Sequence, residues 1–146
     1  MNRIVVGIDG SENAQAALAW ALDEARRRGC PLHIVLAYEV PVAMAIPGAM
    51  TTMVPPELFQ QRGEGLLETA VGAAIDPATE TVPVTKAAVS GHAGKVLIEA
   101  AAGADLLVVA RRGMGGFLGL HLGSVSNYCI HHSPCPVAVI PAQHHK

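Results

Sequence analysis

Short, unbroken apolar runs alternate with segments of helical periodicity along this chain. Ile4-Val5-Val6-Gly7-Ile8 is continuous rather than alternating, the pattern of a strand covered on both faces, as in parallel sheets. Asp9-Gly10-Ser11 then supplies turn and helix-cap chemistry. From Glu12 to Arg28 the period becomes helical, with Ala14, Ala17, Leu18, Ala21, Leu22 and Ala25 on one stripe. Arg26-Arg27-Arg28-Gly29 places cations and a Gly stop at the negative end of that helix, a solvated terminus rather than an anion site. Strands are expected at Leu32–Tyr38, Val82–Val89, Asp105–Ala110 and Pro136–Ile140. Helices are expected from Glu57 to about Ile75 (anchored by Leu58, Leu66, Leu67 and Val71), over His92–Ala102 and over Ser124–His132. Strands that alternate with helices imply an α/β fold, an open doubly wound sheet of five parallel strands with helices on both faces. Right-handed crossovers leave few topologies, and the strand order 3-2-1-4-5 is the one expected. No internal repeat or linker divides the chain, so residues 1–146 read as one domain.

Composition narrows the function classes. The chain carries 24 Ala and 15 Gly in 146 residues, against 2 Phe, 2 Tyr and 1 Trp. So many small side chains imply closely packed elements. The hydrophobic fraction of 51% argues against disorder. A net charge of −2 with few stacking groups argues against nucleic-acid binding. No window approaches the ~18 apolar residues of a membrane span, and the first residues lack a signal peptide's apolar region. Cys30, Cys129 and Cys135 are an odd set and make no disulfide framework, so a cytoplasmic location is the simplest reading.

In such a sheet, ligands bind beyond the carboxyl ends of the strands where the strand order reverses. The ends of strands one and four carry the unusual residues. Gly113, Gly115, Gly116, Gly119 and Gly123 fall within eleven residues after Arg111 and Arg112, and Ser124 opens a helix. Glycines let backbone N–H groups approach an anion, and a helix N-terminus adds free N–H groups, so the combination suits phosphate. A loop whose glycines only make turns, with Ser124 as an ordinary cap, is the alternative. Asp9 either contacts ribose hydroxyls or a magnesium ion among phosphates, or is satisfied by backbone N–H groups of its own turn. Neither a G-x-x-x-x-G-K-[ST] loop nor a G-x-G-x-x-G after the first strand is present.

Over its whole length the sequence resembles the universal stress protein A family. The matching stretches are Ile4 to Ser11, Gly113 to Ser126 (Gly113-Met114-Gly115-Gly116 through Gly123-Ser124-Val125-Ser126) and His132 to Val137. The resemblance implies a Rossmann-like, adenine-nucleotide alpha-hydrolase-like sandwich and the ATP-binding motif G-x2-G-x9-G-[ST]. Its second and third glycines fall on Gly113 and Gly123, with Ser124 as the hydroxyl. By the same resemblance ATP, with Mg2+ at Asp9, would be held by Gly7, Ile8, Asp9, Ala37, Tyr38, Ala110, Arg111, Arg112, Gly113, Met114, Gly115, Gly123, Ser124, Val125 and Ser126. The Ala37-Tyr38 backbone would face adenine. The motif's first glycine is Ala110 here. A methyl group pointing near the ribose or phosphates costs about 1–3 kcal/mol where it is not accommodated.

The resemblance implies a stress-response protein that uses ATP occupancy as a signal and forms a homodimer through Val137–Ile140, an edge strand with no charge to blunt pairing. A nucleotide-free dimeric interaction module and a slow or self-phosphorylating ATPase are the alternatives. No G-x-S-x-G nucleophile elbow is present, and no catalytic residue is assigned. His131 and His132 are adjacent on a helix, about 100° apart, and read as helix-end residues rather than metal ligands. Cys129 and Cys135 read as packing residues. The apolar Pro41–Pro56 segment, with Met44, Met50 and Met53, reads as a cover over the crevice, a partner surface or a loop packed at the sheet edge.

Overall fold

The computed structural model describes residues 2–41, 54–111 and 123–141. Its elements follow in the order β1 (Ile4–Ile8), α1 (Glu12–Arg28), β2 (Leu32–Tyr38), α2 (Pro56–Ala74), β3 (Val84–Ser90), α3 (Ala93–Ala100), β4 (Leu106–Ala110), α4 (Ser124–His132) and β5 (Val137–Ile140). The five strands form one parallel sheet in the order β3-β2-β1-β4-β5.

Strand alternation divides the core between two layers. Ile4, Val6 and Ile8 of β1 face α1 and α2, in a cluster with Ile34, Leu36 and Val108. Val5 faces the other way, with Val35, Leu107, Val109, the α3 residues Val96 and Leu97, and Cys129 of α4. β1 and β4 are therefore apolar along their whole length because both faces are covered.

The buried residues of α1 are the six of the expected stripe. Its caps are local chemistry. Ser11 Oγ accepts a hydrogen bond from the Ala14 N–H at 3.2 Å, and Gly29 closes the helix at φ +64°, a conformation glycine adopts without strain. Arg27 and Arg28 pair with Asp23 and Glu24 one turn back, and Arg26 pairs with Glu80. The Arg26 guanidinium holds the Glu80 carboxyl below its ordinary range.

Helix α2 departs from expectation. Leu67 is 4% exposed and Val71 packs on the core, but Leu58 and Leu66 are 50% and 37% exposed. The face turned inward is instead Gly63, Leu67 and Ala70. At Gly63 the Tyr38 ring comes so close that a Cβ would lie 2.9 Å from its Cδ1. The helix thus sets its small residues against the sheet, and Gln15 Nε2 donates to the Ala70 carbonyl at 2.8 Å.

Other boundaries shift by one or two residues. β3 begins after Pro83, which has no N–H to donate to a ladder. His92 and Ala101 are the caps of α3 rather than its interior. Most of the Pro41–Pro56 segment lies outside the described residues.

Candidate functional site

The chain leaves β1 toward β2 and β3, then returns across the sheet to β4, so the strand order reverses between β1 and β4. Their pairing runs from Ile4 opposite Leu106 to Val6 opposite Val108 and stops there. The outer pairings continue, β1–β2 to Ile8 opposite Leu36 and β4–β5 to Ala110 opposite Ile140. A crevice therefore opens between the carboxyl ends of β1 and β4, the place where doubly wound sheets take ligands.

Three chain ends border it. Asp9 follows β1, one step past the Ile8–Leu36 pair and so at the level of Ala37. Its Oδ1 accepts a hydrogen bond from the Ser11 N–H at 2.9 Å, as the turn-satisfied reading expects. Gly10 makes this turn at φ +86°, where a side chain would be strained. Ala37 and Tyr38 end β2, and the Tyr38 carbonyl accepts from the Gly91 N–H at 2.9 Å.

Ala110 ends β4, and Arg111 follows it. The Ala110 methyl is half-buried against the cluster on the α1 side of the sheet, so its Cβ has a place in that layer. The Arg111 N–H donates to the Ile140 carbonyl, and the Arg111 carbonyl accepts from the Gly123 N–H, both at 2.8 Å. Arg111 at the end of β4 and Gly123 at the start of α4 are thus held together by one backbone hydrogen bond.

Ser126 strengthens that link. It is 2% exposed, and its hydroxyl lies 3.0 Å from both the Arg111 and the Gly123 carbonyls. Its single proton is shared between them, and the side chain acts on this link rather than facing solvent. Gly123 caps α4 without a side-chain hydrogen bond, and no acidic residue lies in the first turn. The N–H groups of Ser124, Val125 and Ser126 are without intrahelical partners, and the dipole end is positive. Ser124 is exposed, whereas Val125 packs into the α3–α4 layer.

Gly7 and Ile8 are buried and offer only backbone. A Cβ on Gly7 would meet Leu97 of α3 at 2.5 Å, so that glycine serves helix–sheet packing, and the Ile8 side chain sits in the α1-side core. Arg112, Gly113, Met114 and Gly115 lie outside the described residues, as does His121.

The candidate set omits a cavity of about 500 Å³ beyond β2 and β3, lined by Glu39, Val40, Pro41, Ser90, Gly91 and His92. These residues carry no motif. Only their position after two carboxyl strand ends marks them, and the β2–β3 register, with Tyr38 opposite Ser90, brings them together. His92 meets the Tyr128 ring edge-on at a centroid distance of 5.6 Å, and Tyr128 lies 4.4 Å from His132. The Tyr128 ring rests on Gly94, where a Cβ would fall 2.5 Å from Cδ1.

Among the described residues no group of three or more His, Cys, Asp and Glu is placed to hold a metal ion, and His131 and His132 lie in the last turn of α4. The three cysteines are free, and burial raises the Cys129 thiol to about 11, which leaves it protonated. Among the described residues no helix is long and apolar enough to cross a membrane.

Comparison with known proteins agrees with this architecture. The family model described as the universal stress protein family matches residues 1–141. The universal stress protein Rv2005c of Mycobacterium tuberculosis is 36% identical over 136 residues, 93% of this chain and 44% of that protein. The chain thus spans less than half the length of this curated relative. Among solved structures, a universal stress protein in complex with cAMP superposes with a TM-score of 0.69 at 26% identity, covering 97% of this chain and 98% of that one. The universal stress protein from Archaeoglobus fulgidus in complex with dAMP superposes with a TM-score of 0.67 at 21% identity, covering 96% and 98%. With the family model spanning nearly the whole chain, and a doubly wound sheet opening at its switch point, the chain belongs to the universal stress protein family.

Proposed function

We propose that this chain is a cytoplasmic stress-response protein, one domain over residues 1–146, that binds an adenine nucleotide in the crevice between β1 and β4 and uses ATP occupancy as a regulatory signal. The observation that carries this reading is the placement of Arg111, at the end of β4, against Gly123, at the start of α4. The Arg111–Gly123 hydrogen bond and Ser126 tie the end of β4 to an uncapped helix N-terminus, directly beside the gap where β1–β4 pairing stops. That arrangement offers N–H donors and a positive dipole end to phosphates. The cAMP and dAMP bound by the two structural relatives support an adenine nucleotide as the ligand.

Asp9 brings a carboxylate to the crevice. One carboxylate suits Mg2+ held mainly by phosphate oxygens and water, and the ion would neutralise phosphate charge there. The Ala110 methyl packs toward α1, which supports binding despite the replaced motif glycine.

Native mass spectrometry of the purified protein with added ATP tests the reading. A bound-nucleotide mass that Gly113→Val removes is expected, and a clean apo species at saturating ATP refutes it. Phosphate release no faster than in Asp9→Ala is expected for a binder rather than a slow ATPase.

The edge position of β5 favours a second, compatible element, a homodimer along Val137–Ile140. Among the described residues β5 pairs with β4 alone, and its four residues are half-buried with no charge to prevent another strand from adding. Light scattering is expected to show a dimer, and a monomer independent of concentration sinks this element.

A further inference from the structure

We infer that Leu66 of α2 is a positioning residue for Asp9: it packs on the turn between β1 and α1 from outside, and so sets where the carboxylate stands toward the nucleotide. The inference rests on the nucleotide reading and deepens it.

Asp9, Gly10 and Ser11 join β1 to α1, and the middle residue is the loosest joint. Asp9 Oδ1 accepts from the Ser11 N–H at 2.9 Å, which ties the carboxylate across Gly10 to the cap of α1. Ser11 is anchored in its turn, since its Oγ accepts from the Ala14 N–H and its carbonyl from the Gln15 N–H. Gly10, at φ +86°, has no side chain with which to pack, and glycine has the widest backbone freedom of any residue.

Leu66 supplies the missing packing. The three atoms nearest the place a Gly10 Cβ would take, chain neighbours aside, all belong to Leu66: Cδ2 at 3.2 Å, and Cβ and Cδ1 at 3.8 Å. Leu66 is 37% exposed and stands apart from the buried face of α2, so its covered part is spent on this turn rather than on the core. Its mounting is firm. Leu67 and Ala70 are buried in the α1-side core, and Gln15 Nε2 donates to the Ala70 carbonyl at 2.8 Å, about one helical turn beyond Leu66. α2 is thus bonded to the first turns of α1 next to the place where Leu66 meets Gly10.

Truncating Leu66 leaves Gly10 free to sample its wide backbone range, and the carboxylate must then be ordered when the nucleotide binds. The ordering cost of one flexible group corresponds to about two- to tenfold in affinity.

Two measurements on the intact protein test the inference. The first needs no nucleotide. Exchange of the Ser11 amide with water, followed by NMR, reports this turn directly, because that amide is bonded to Asp9 Oδ1. Leu66→Ala is expected to speed it about fivefold, while the Gln15 amide, held within α1, keeps its rate. Leu66→Met, which refills the space, should keep the parent's Ser11 rate, and so should Leu58→Ala, a truncation at a leucine of the same helix that is 50% exposed. The second measurement is calorimetric titration with ATP and Mg2+. Leu66→Ala is expected to bind about fivefold more weakly than the parent, and the two control variants within about twofold of it.

An unchanged Ser11 rate in Leu66→Ala overturns the inference and leaves nucleotide binding intact. So does a Gln15 amide that speeds up equally, which would mean general loosening of α1. Faster Ser11 exchange with unchanged ATP affinity also overturns it, because Leu66 would then be a packing residue without effect on the site. Failure of ATP to bind the parent protein overturns the nucleotide reading itself, and this inference with it.

Discussion

Truncating Ser126 to alanine removes the hydroxyl of a residue that is 2% exposed and that links the end of β4 to the start of α4. The cost depends on what the two carbonyls keep. The Arg111 carbonyl still accepts from the Gly123 N–H at 2.8 Å, and the Gly123 carbonyl still accepts from the Asn127 N–H at 3.0 Å. Neither is orphaned, so the penalty of 1–3 kcal/mol for a stranded buried group does not apply, and the net loss is that of one shared hydrogen bond, about 1 kcal/mol. For a domain of this size that lowers the melting temperature by about 3 °C.

The same hydroxyl fixes how far Arg111 stands from the first turn of α4. Loosening it is expected to weaken ATP binding about two- to fivefold. Calorimetric melting and ATP titration of Ser126→Ala, with Ser126→Thr as a control that keeps the hydroxyl, measure both effects. An unchanged melting temperature would show that the hydroxyl bonds contribute nothing. A drop beyond about 10 °C would show that the carbonyls depend on Ser126 alone, and either result refutes this account.

Two further outcomes follow from packing and titration. Gly94→Ala should destabilise the protein although alanine favours helices by about 1 kcal/mol, because its Cβ meets a Tyr128 ring already bracketed by His92 and His132; Gly72→Ala on α2, with nothing within 4 Å, should raise the melting temperature in the same assay. Burial, then the positive charge of Arg3, lowers the pKa of His33, which shares a 2.7 Å hydrogen bond with Thr85. The neutral form is therefore favoured in the folded state, and this stability is present above the ordinary histidine pKa of about 6.5 and lost as pH falls through the lower folded value. Denaturant titrations across that window should show a loss that His33→Gln removes, and parallel pH profiles for the two proteins would rule this out.

Much of the architecture was legible along the chain because it rests on local chemistry. The α1 stripe, the Ser11 cap and the Gly29 stop involve residues within four positions of each other, and the unbroken apolar runs of β1 and β4 announce a sheet covered on both sides. The observed strand order is the one expected among the few topologies that right-handed crossovers leave. The position of the switch point between β1 and β4 followed from that order.

Other features depended on partners far away in sequence. Periodicity shows which residues of α2 share a face, but not which face the sheet accepts; the Tyr38 ring, twenty-five residues before Gly63, turned the small stripe inward and left Leu58 and Leu66 outside. No spacing rule marks where β1–β4 pairing stops, or that Glu39 and His92 line one cavity, because strand register brings them together through space. Ser126, which the resemblance puts among the nucleotide contacts, donates its hydroxyl to the carbonyl of Arg111, fifteen residues away, a partner that no local pattern announces. Ala110 reads as an obstruction beside a phosphate site, and the tertiary fold gives its methyl a place in the α1 layer. Local sequence specifies an element and its caps; the direction in which each side chain is spent depends on which neighbour the folded chain brings against it.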